Sequence, residues 1–407
     1  MNRRLQQIVA TTDVHSAIGS AAPMLAFLHT ARTDSLIVDS GDFFEGTGIY
    51  RLGTGAIERD ILTALYDVVA PGNHGWPHYF EPELRRITVC ANTTDQEGAP
   101  IFDRVRIERV GGRRVAVTAV IGQQAFEAIP IGQRTGHRVT DPVRALREVM
   151  AEHHHHADAW VVLSHSGFEE DVKLAGSCPS IDVVFSGHCH SDVHGPVRVG
   201  GTLVVKGREL GLGYATTSPT GDGWTARTGL FPSLSVLPDA LTGLRGRIST
   251  VEQALARPLG MVREPYRDAP LDRRRLLEEL TEHLRTGSTA DAVVLNETAL
   301  RSVPLGSTLA LGDILAVEPF DNVLVHAVLP EEHEQALDAL TKRVGPLAVL
   351  PNPLPPNSQS VLTTGYLADS HFGGRANETG LRLGHTVRRL LTDRTSQRAD
   401  RPEGGQR

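Results

Sequence analysis

The chain has 407 residues, of which 40% are hydrophobic and 22% are charged, and its formal net charge at pH 7 is −7. This length predicts two or three domains with buried cores, and the net negative charge argues against a nucleic-acid polymer as partner. The odd number of cysteines, three, predicts no disulfide framework. Because no apolar stretch reaches the length of a signal peptide or the roughly 20 residues of a membrane span, we expect a cytoplasmic protein without a membrane partner.

The first 125 residues alternate strand and helix patterns, which is typical of an α/β sheet. Apolar residues at helical spacing predict helices over residues 21–32, 56–66 and 82–87. Two strands, over residues 104–107 and 113–121, flank Gly111-Gly112, a dipeptide that suits a tight hairpin. The sheet is therefore expected to be mixed.

The remainder of this first domain continues the alternation. Asp141-Pro142 predicts a helix start, with the aspartate as N-cap and the proline in the first turn. Closing strands are expected over residues 202–206 and 214–230, the latter broken by a turn at residues 220–223. The domain is expected to span residues 1–232.

The pattern changes after Pro232. We expect a linker helix within residues 233–257, with its helical pattern over 238–256. A smaller α+β domain is expected over residues 258–392, followed by a disordered polar tail over 393–407. Its predicted elements are helices over 273–285 and 331–342 and strands over 292–295 and 323–328, and the prolines of residues 351–357 predict a loop.

Five strand-like runs in the first domain end in residue types that bind metal ions. The ends carry Asp13 and His15, Asp42, Asn73, His165, and His188 with His190. Gly41 lets the chain turn sharply after one of these runs, so that Asp42 can leave the sheet and enter a site at its edge. Each residue alone is more often a cap or a solvated side chain, but the whole set is specific.

The set comprises two carboxylates, one amide and four imidazoles. Oxygen donors mixed with imidazole suit Mn²⁺, Zn²⁺, Fe²⁺ or similar ions. A carboxylate such as Asp42 can bridge two ions about 3.5–4 Å apart and reduce their repulsion. The residues therefore predict a site for divalent metal ions.

The order Asp-x-His, Gly-Asp, Gly-Asn-His, His and Gly-His-x-His resembles the calcineurin-like metallophosphoesterases, over nearly the whole first domain. The resemblance implies a sandwich of mixed β-sheets flanked by helices and a site for two divalent metal ions. It implies that one ion is held by Asp13, His15, Asp42 and His190, and the other by Asp42, Asn73, His165 and His188. His74 matches the family's catalytic histidine, which donates a hydrogen bond or proton while a metal-bound hydroxide attacks the phosphorus.

The second domain is similar to the C-terminal domain of the 5′-nucleotidase and UDP-sugar hydrolase family. The similar segments are residues 296–301 and 312–322, the latter containing Pro319-Phe320-Asp321-Asn322, and a third near Tyr366. The resemblance implies that Phe320 and Tyr366 sandwich a base and that Asn296 and Arg301 hold polar groups of the substrate. The alternative is that both aromatic residues belong to the core.

The chain departs from the family pattern at three places. Pro77 stands where the family has the aspartate that orients the catalytic histidine, and either His78 or Glu81 could take over that role. Residues 297–299 replace a triple glycine. Residues 369–375 replace a Gly-Gly-Asp, and there Arg375 could meet an anionic group.

The function expected from these residues is hydrolysis of a 5′-nucleotide or related phosphomonoester, within nucleotide catabolism. One alternative is a phosphodiesterase that acts on cyclic nucleotides or nucleotide sugars. A second is a nucleotide-binding or regulatory protein that has kept the metals and lost turnover. The loss of the aspartate at position 77 favours the second alternative, whereas the retained His74 and the full ligand set oppose it.

Overall fold

The computed structural model describes residues 3–233 and 237–393. These residues form two compact units, which divide between Val251 and Glu252. The boundary falls inside helix α9, Thr242–Leu255. Among the described residues, no helix combines the length and the apolar character that crossing a bilayer requires.

The first unit contains strands and helices in alternation. The strands are β1 Gln7–Thr11, β2 Ser35–Asp39, β3 Val68–Val69, β4 Thr93–Asp95, β5 Val105–Val110, β6 Arg113–Ile121, β7 His137–Val139, β8 Ala159–His165, β9 Val183–Ser186, β10 Val197–Val199, β11 Thr202–Val205, β12 Gly213–Pro219 and β13 Trp224–Leu230. The α-helices are α1 Ala22–Ala31, α2 Gly48–Gly53, α3 Ala56–Leu65, α4 Pro82–Arg85, α5 Gln123–Ala128, α6 Ile131–Arg134, α7 Pro142–His153 and α8 Phe168–Ser177. A 3₁₀ helix spans Trp76–Phe80.

Two mixed sheets share the core of this unit. One has the strand order β13-β12-β1-β2-β3 and the other β10-β11-β9-β8-β6-β5, while β4 and β7 form a separate pair. Ile8 and Val38 of the first sheet belong to the same buried apolar cluster as Val117 and Leu163 of the second. The predicted sandwich of mixed sheets flanked by helices is therefore confirmed.

Local sequence signals account for several of these elements. Gly111 and Gly112 both have positive φ, 57° and 83°, as a tight hairpin between antiparallel strands requires. The Asp141 side chain accepts a hydrogen bond from the backbone N–H of Arg144 and so caps α7. Strands β2 and β8 are buried along their whole length, which explains why their sequences are almost continuously apolar.

The second unit is a five-stranded sheet with helices and two small strand pairs. After α9 its strands are β14 Pro258–Met261, β15 Ala269–Pro270, β16 Ala292–Asn296, β17 Pro304–Leu305, β18 Thr308–Ala310, β19 Val323–Val328, β20 Leu347–Leu350, β21 Ser360–Thr364 and β22 Asn377–Arg382. Its helices are α10 Arg273–Gly287, α11 Leu311–Val317, α12 His333–Val344, α13 Gly365–His371 and α14 Leu383–Leu391. The 3₁₀ segments Asp239–Leu241 and Glu297–Ala299 precede α9 and follow β16.

Alternate residues of β16 serve two cores in the second unit. The sheet order is β20-β16-β21-β19-β22, with β14 paired to β18 and β15 to β17. Val293 lies in a cluster with Leu280 of α10, whereas Val294 lies in a cluster with Leu340 of α12. Since successive strand residues point to opposite faces, helices cover both faces of this sheet.

The second unit departs from the sequence prediction in its details. The helix predicted over 238–256 begins at Thr242, because Asp239–Leu241 forms a 3₁₀ turn after Pro238. Helices α11 and α14 lie where no helix was predicted. Asp393, the first residue of the predicted disordered tail, donates a backbone hydrogen bond to the Met261 carbonyl at 2.9 Å. The rest of that tail, residues 394–407, and the start of the predicted linker, residues 234–236, lie outside the described residues.

Candidate metal centre

Five parallel strands bring the candidate ligands to one edge of the sandwich. Strands β1, β2 and β3 run parallel in one sheet, and β8 and β9 run parallel in the other. Each ligand lies at, or within a few residues after, the carboxyl end of its strand. The carboxyl ends of parallel strands meet at the same edge, so donors that are far apart in sequence become neighbours.

The donor atoms lie close enough to share metal ions. The donor atoms lie within 4.8 Å of one another in the group Asp13, His15 and His190 and in the group Asp42, His165 and His188. His74 lies equally close to His15 and Asp42. The two groups approach each other at Asp42, whose Oδ2 is 3.2 Å from His165 Nε2 and 3.7 Å from His15 Nε2. Asn73 completes the second group, because its Oδ1 is 3.2 Å from His165 Nε2. All seven residues predicted as ligands are thus in one cluster.

The electrostatics of the cluster favour a bound cation. Asp13 and Asp42 are buried, 0% and 2% exposed, and the ion-pair partners found for them among the described residues are histidines. Burial raises the pKa of Asp13, which means that its charge is poorly compensated. A divalent ion would supply the missing positive charge.

The protonation of the histidines agrees with that view. Burial lowers the pKa of His15 to about 3 and that of His188 to about 4, so both imidazoles are neutral near pH 7 and have a lone pair to donate. Burial also acts to lower the pKa of His165, but the charge of Asp42 and the hydrogen bond to it raise that pKa to about 9. The charge of Asp42 therefore favours a positive charge at His165 Nε2, and a bound metal ion could supply that charge in place of the proton.

Hydrogen bonds outside the cluster fix the orientation of its members. His165 Nδ1 donates to the Ser40 carbonyl at 2.9 Å, which turns Nε2 towards Asp42. Asp13 accepts hydrogen bonds from the Thr12 hydroxyl at 2.6 Å and from the His188 backbone N–H at 3.1 Å. Such contacts typically orient metal ligands.

The backbone is strained at this edge. Of the ten described non-glycine residues with positive φ, six lie here, and they are Asp13, His15, Ser16, Asp42, Glu45 and His188. Conformations of this kind cost about 1–3 kcal/mol each and concentrate at functional sites. The close packing also requires a glycine at position 72, because a Cβ there would lie 2.0 Å from Asp42 Oδ1.

His74 lies beside the cluster and has a carboxylate partner that the sequence analysis missed. Its backbone N–H donates to Asp42 Oδ1 at 2.8 Å, and its Nδ1 is 2.9 Å from Glu45 Oε2. The suggestion that His78 or Glu81 orients His74 is wrong. Those two residues hydrogen-bond each other at 2.7 Å, and His78 Nε2 contacts the Tyr50 hydroxyl.

The sequence carried a weak signal for this contact. Glu45 is a carboxylate in the same strand-end loop as Asp42, and Gly46 follows it. Nothing in that spacing indicates, however, that the loop reaches His74. The side chain of Glu45 is 29% exposed and that of His74 is 26% exposed, so the pair is accessible to solvent.

The residues predicted to contact substrate lie in the second unit. Phe320 and Tyr366 are 47% and 48% exposed, so the alternative that they are core aromatics is wrong. The Arg301 guanidinium carbon lies 5.5 Å from the centre of the Phe320 ring, a cation–π contact. Asn296 is buried at the end of β16, and its amide nitrogen donates to the Thr298 hydroxyl at 2.6 Å.

Arg375 does not have the role suggested from the sequence. Its guanidinium bonds both carboxylate oxygens of Asp369, at 2.8–3.0 Å, and contacts Glu378 at 2.8 Å. With its charge offset by two acidic side chains, it is a poor anchor for an anionic group of a substrate.

The chain is similar to known proteins in sequence and in fold. No family model matches the chain. Relatives in sequence include an uncharacterized metallophosphoesterase of Bacillus subtilis, 32% identical over 217 residues, which are 49% of this chain and 47% of the relative. A snake venom 5′-nucleotidase of Naja atra is 25% identical over 202 residues, 44% of this chain and 36% of that protein. The chain thus matches between about a third and a half of the length of these relatives.

Solved structures match over almost the whole chain. A 5′-nucleotidase precursor from Thermus thermophilus superposes with a TM-score of 0.72 at 18% identity, covering 95% of this chain and 96% of that one. A sulfate thiohydrolase from the same organism gives a TM-score of 0.74 at 16% identity, covering 96% and 95%. The chain therefore has the fold of the 5′-nucleotidases and is similar in sequence to metallophosphoesterases, which confirms the predicted resemblance to the calcineurin-like metallophosphoesterases of the 5′-nucleotidase family.

Proposed function

We propose that the protein is a metal-dependent phosphoester hydrolase that releases phosphate from a 5′-nucleotide or a related phosphomonoester. The observation that carries the proposal is the gathering of six candidate metal ligands around a seventh, Asp42, with His74 beside them. In this proposal Asp13, His15 and His190 would hold one divalent ion, Asn73, His165 and His188 would hold a second, and Asp42 would serve both.

The proposed chemistry divides between the ions and the chain. When bound, two divalent ions would lower the pKa of a water molecule and offset the charge that develops on the phosphoryl group. Asp42 keeps the two groups of ligands together, because one of its oxygens lies within 4 Å of a histidine from each. His74 uses Nδ1 for its contact with Glu45, which leaves Nε2 to face the reaction. When the imidazole is protonated on both nitrogens, Nε2 can donate a hydrogen bond or proton to the phosphate or the leaving oxygen.

The second unit supports a nucleotide as substrate. Two large aromatic side chains that are about half exposed, Phe320 and Tyr366, offer surfaces on which a base can stack. Arg301 lies against one face of Phe320 and adds a cationic group beside it. Relatives named as 5′-nucleotidases make the same assignment for this chain reasonable.

Two alternatives are less well supported. A phosphodiesterase would use the same metal cluster, and the sulfate thiohydrolase among the structural neighbours illustrates that this fold alone does not determine the substrate. A binding protein without turnover was favoured by Pro77, which replaces the expected aspartate. Because Glu45 contacts His74 at 2.9 Å, that replacement has not left the histidine without a carboxylate.

A phosphate-release screen with Mn²⁺-loaded protein tests the proposal. The substrates are nucleoside 5′-monophosphates, sugar phosphates, cyclic nucleotides and nucleotide sugars, with Asp42→Asn as the inactive control. Turnover of 5′-monophosphates that is absent in the variant supports the proposal. Turnover of diesters alone would replace it with the phosphodiesterase function, and nucleotide binding without any turnover would replace it with the binding protein.

A cytoplasmic role in nucleotide catabolism is part of the proposal. The three cysteines are free thiols, and Cys90 and Cys178 are buried, which suits a reducing compartment. Cell fractionation, followed by measurement of nucleotide pools in cells that lack the protein, tests this part. Finding the protein in a secreted fraction, or finding unchanged nucleotide pools, would contradict this part of the proposal.

A further inference from the structure

The carboxylate of Glu45 makes two contacts with consecutive residues of a different loop. Oε1 accepts a hydrogen bond from the backbone N–H of Gly75 at 2.9 Å, and Oε2 lies 2.9 Å from His74 Nδ1. With the carboxylate as acceptor in both contacts, His74 Nδ1 is the donor of the second. The pair of contacts therefore fixes the orientation of the imidazole and favours a proton on Nδ1.

The backbone around Glu45 is built to hold it there. Glu45 has a φ of 63°, a conformation that non-glycine residues seldom adopt, and Gly46 follows with a φ of 105°. The two loops approach so closely that a Cβ on Gly75 would lie 2.4 Å from the Cβ of Phe44. Because such a backbone conformation is costly, its occurrence next to His74 indicates a functional constraint.

Other titratable groups nearby are engaged elsewhere. His78 and Glu81 hydrogen-bond each other, and Glu81 also pairs with Arg59. Tyr50 contacts His78 Nε2 at 3.0 Å. The side-chain contact found for His74 Nδ1 among the described residues is the one with Glu45.

We propose that Glu45 is the positioning residue of His74 and that it replaces, from a different loop, the aspartate whose place Pro77 occupies. The proposal rests on the proposed hydrolase function. It states that Glu45 acts only through His74, by keeping a proton on Nδ1 and directing Nε2 to the reaction, where Nε2 donates when it is protonated as well. The hydrogen-bond partners of metal-ligating histidines typically contribute about 10- to 100-fold to activity, and we expect an effect of the same size for the partner of His74.

The experiment is a double-mutant cycle between Glu45→Ala and His74→Ala. Glu45→Gln serves as a second variant in case Glu45→Ala does not fold. Glu81→Gln is the matched control, because it alters a carboxylate that contacts a different histidine, His78. The readouts are kcat for a nucleoside 5′-monophosphate, metal content and thermal unfolding. A long-range ¹H–¹⁵N spectrum of the histidines, in which His74→Ala identifies the His74 signals, reports the tautomer without any need for activity.

The expected result is that Glu45→Ala lowers kcat about 10- to 100-fold in the wild-type background and has little effect in the His74→Ala background. The metal content of Glu45→Ala and the activity of Glu81→Gln should match those of the wild type. In Glu45→Ala, neutral His74 should no longer be confined to the tautomer that carries its proton on Nδ1. Equal losses in both backgrounds, or an unchanged His74 tautomer, would overturn the proposal. If the wild type hydrolyses no phosphoester, the proposed function fails, and the tautomer alone then decides the role of Glu45.

Discussion

The buried ammonium of Lys206 donates a hydrogen bond of 2.8 Å to the backbone carbonyl of Cys189. It donates a second, at 2.7 Å, to the carbonyl of Ser191, and it also pairs with Glu209. Lys206 is fully buried, and these three contacts use all three N–H groups of its ammonium. Cys189 and Ser191 flank the candidate ligand His190. One side chain thereby fixes the loop after β9.

Lys206→Met should weaken metal binding. Methionine is apolar and of similar length, but it leaves two carbonyls without their donor, and losing such outer-shell contacts typically costs about 10- to 100-fold in metal affinity. Titration of the metal-free protein with Mn²⁺ measures the effect. Lys173→Met, which removes an exposed lysine paired with Glu170, is the control. Unchanged Mn²⁺ affinity in Lys206→Met would mean that the loop is held by other contacts.

Asp42→Asn should remove most of the activity and reduce the metal content below two ions per chain. The neutral amide weakens binding and leaves the repulsion between two ions less compensated. Elemental analysis and phosphate release on the same preparation measure both quantities. Full wild-type activity after chelation and dialysis is the result that would disprove a two-metal mechanism.

His74→Ala should keep the metal content near that of the wild type while lowering kcat. A positioned hydrogen-bond donor or acid typically contributes about 10²–10⁴-fold. His154→Ala, at an exposed position, is the control for the loss of a histidine. Loss of metal together with activity would show that His74 is a ligand or a structural residue.

Phe320→Ala and Tyr366→Ala should each lower kcat/KM for a nucleoside monophosphate by about tenfold or more, because stacking on an aromatic ring is worth about 1–3 kcal/mol per base. Hydrolysis of an aryl phosphate should barely change. Leu381→Ala, which removes another exposed apolar side chain of the second unit, is the control. Equal losses on both substrates would show that the two rings do not bind a base.

Asp171 should make the stability of the first unit depend on pH. Burial raises its pKa to about 7 in the folded protein, where the Ser164 hydroxyl donates to it at 2.5 Å. From the unfolded pKa of about 3.9 up to about 7, the folded state binds more protons than the unfolded state, so stability falls as the pH rises. Above pH 7 the carboxyl is ionised in both states and the fall ends.

Urea unfolding at pH 5 and pH 8 measures this dependence. The measured quantity is the free energy of unfolding of the wild type minus that of Asp171→Asn. This difference should fall by about 1.4 kcal/mol per pH unit up to pH 7, and so by about 2–3 kcal/mol between pH 5 and pH 8. Asp158→Asn is the control. The hydrogen bond with Arg114 lowers the pKa of Asp158 to about 2, so its contribution is nearly complete by about pH 5 and almost constant between pH 5 and pH 8. A pH-independent difference for Asp171→Asn would show that Asp171 is ionised when buried.

Much of the first unit could be predicted from the sequence because its signals are local. Apolar runs predicted strands β2, β8 and β9, paired glycines predicted the hairpin at Gly111, and Asp141 predicted a helix start. The clustering of the seven candidate ligands was also predictable. Each is tied to a strand end, and parallel strands must bring their carboxyl ends together.

The contacts of Glu45 and Lys206 were decided only by the tertiary structure. Glu45 hydrogen-bonds the loop after β3, and Lys206 hydrogen-bonds the loop after β9. Hydrogen bonds between loops leave no periodic pattern in the sequence. Glu45 lies 29 residues before His74, and the contact forms because the loops after β2 and β3 pack within van der Waals distance at Phe44 and Gly75. The sequence by itself determined which residues can bind metal and on which strands they lie. Only the packing of loops at the sheet edge determined which carboxylate meets the histidine, because that choice depends on distances of a few tenths of an ångström rather than on residue order.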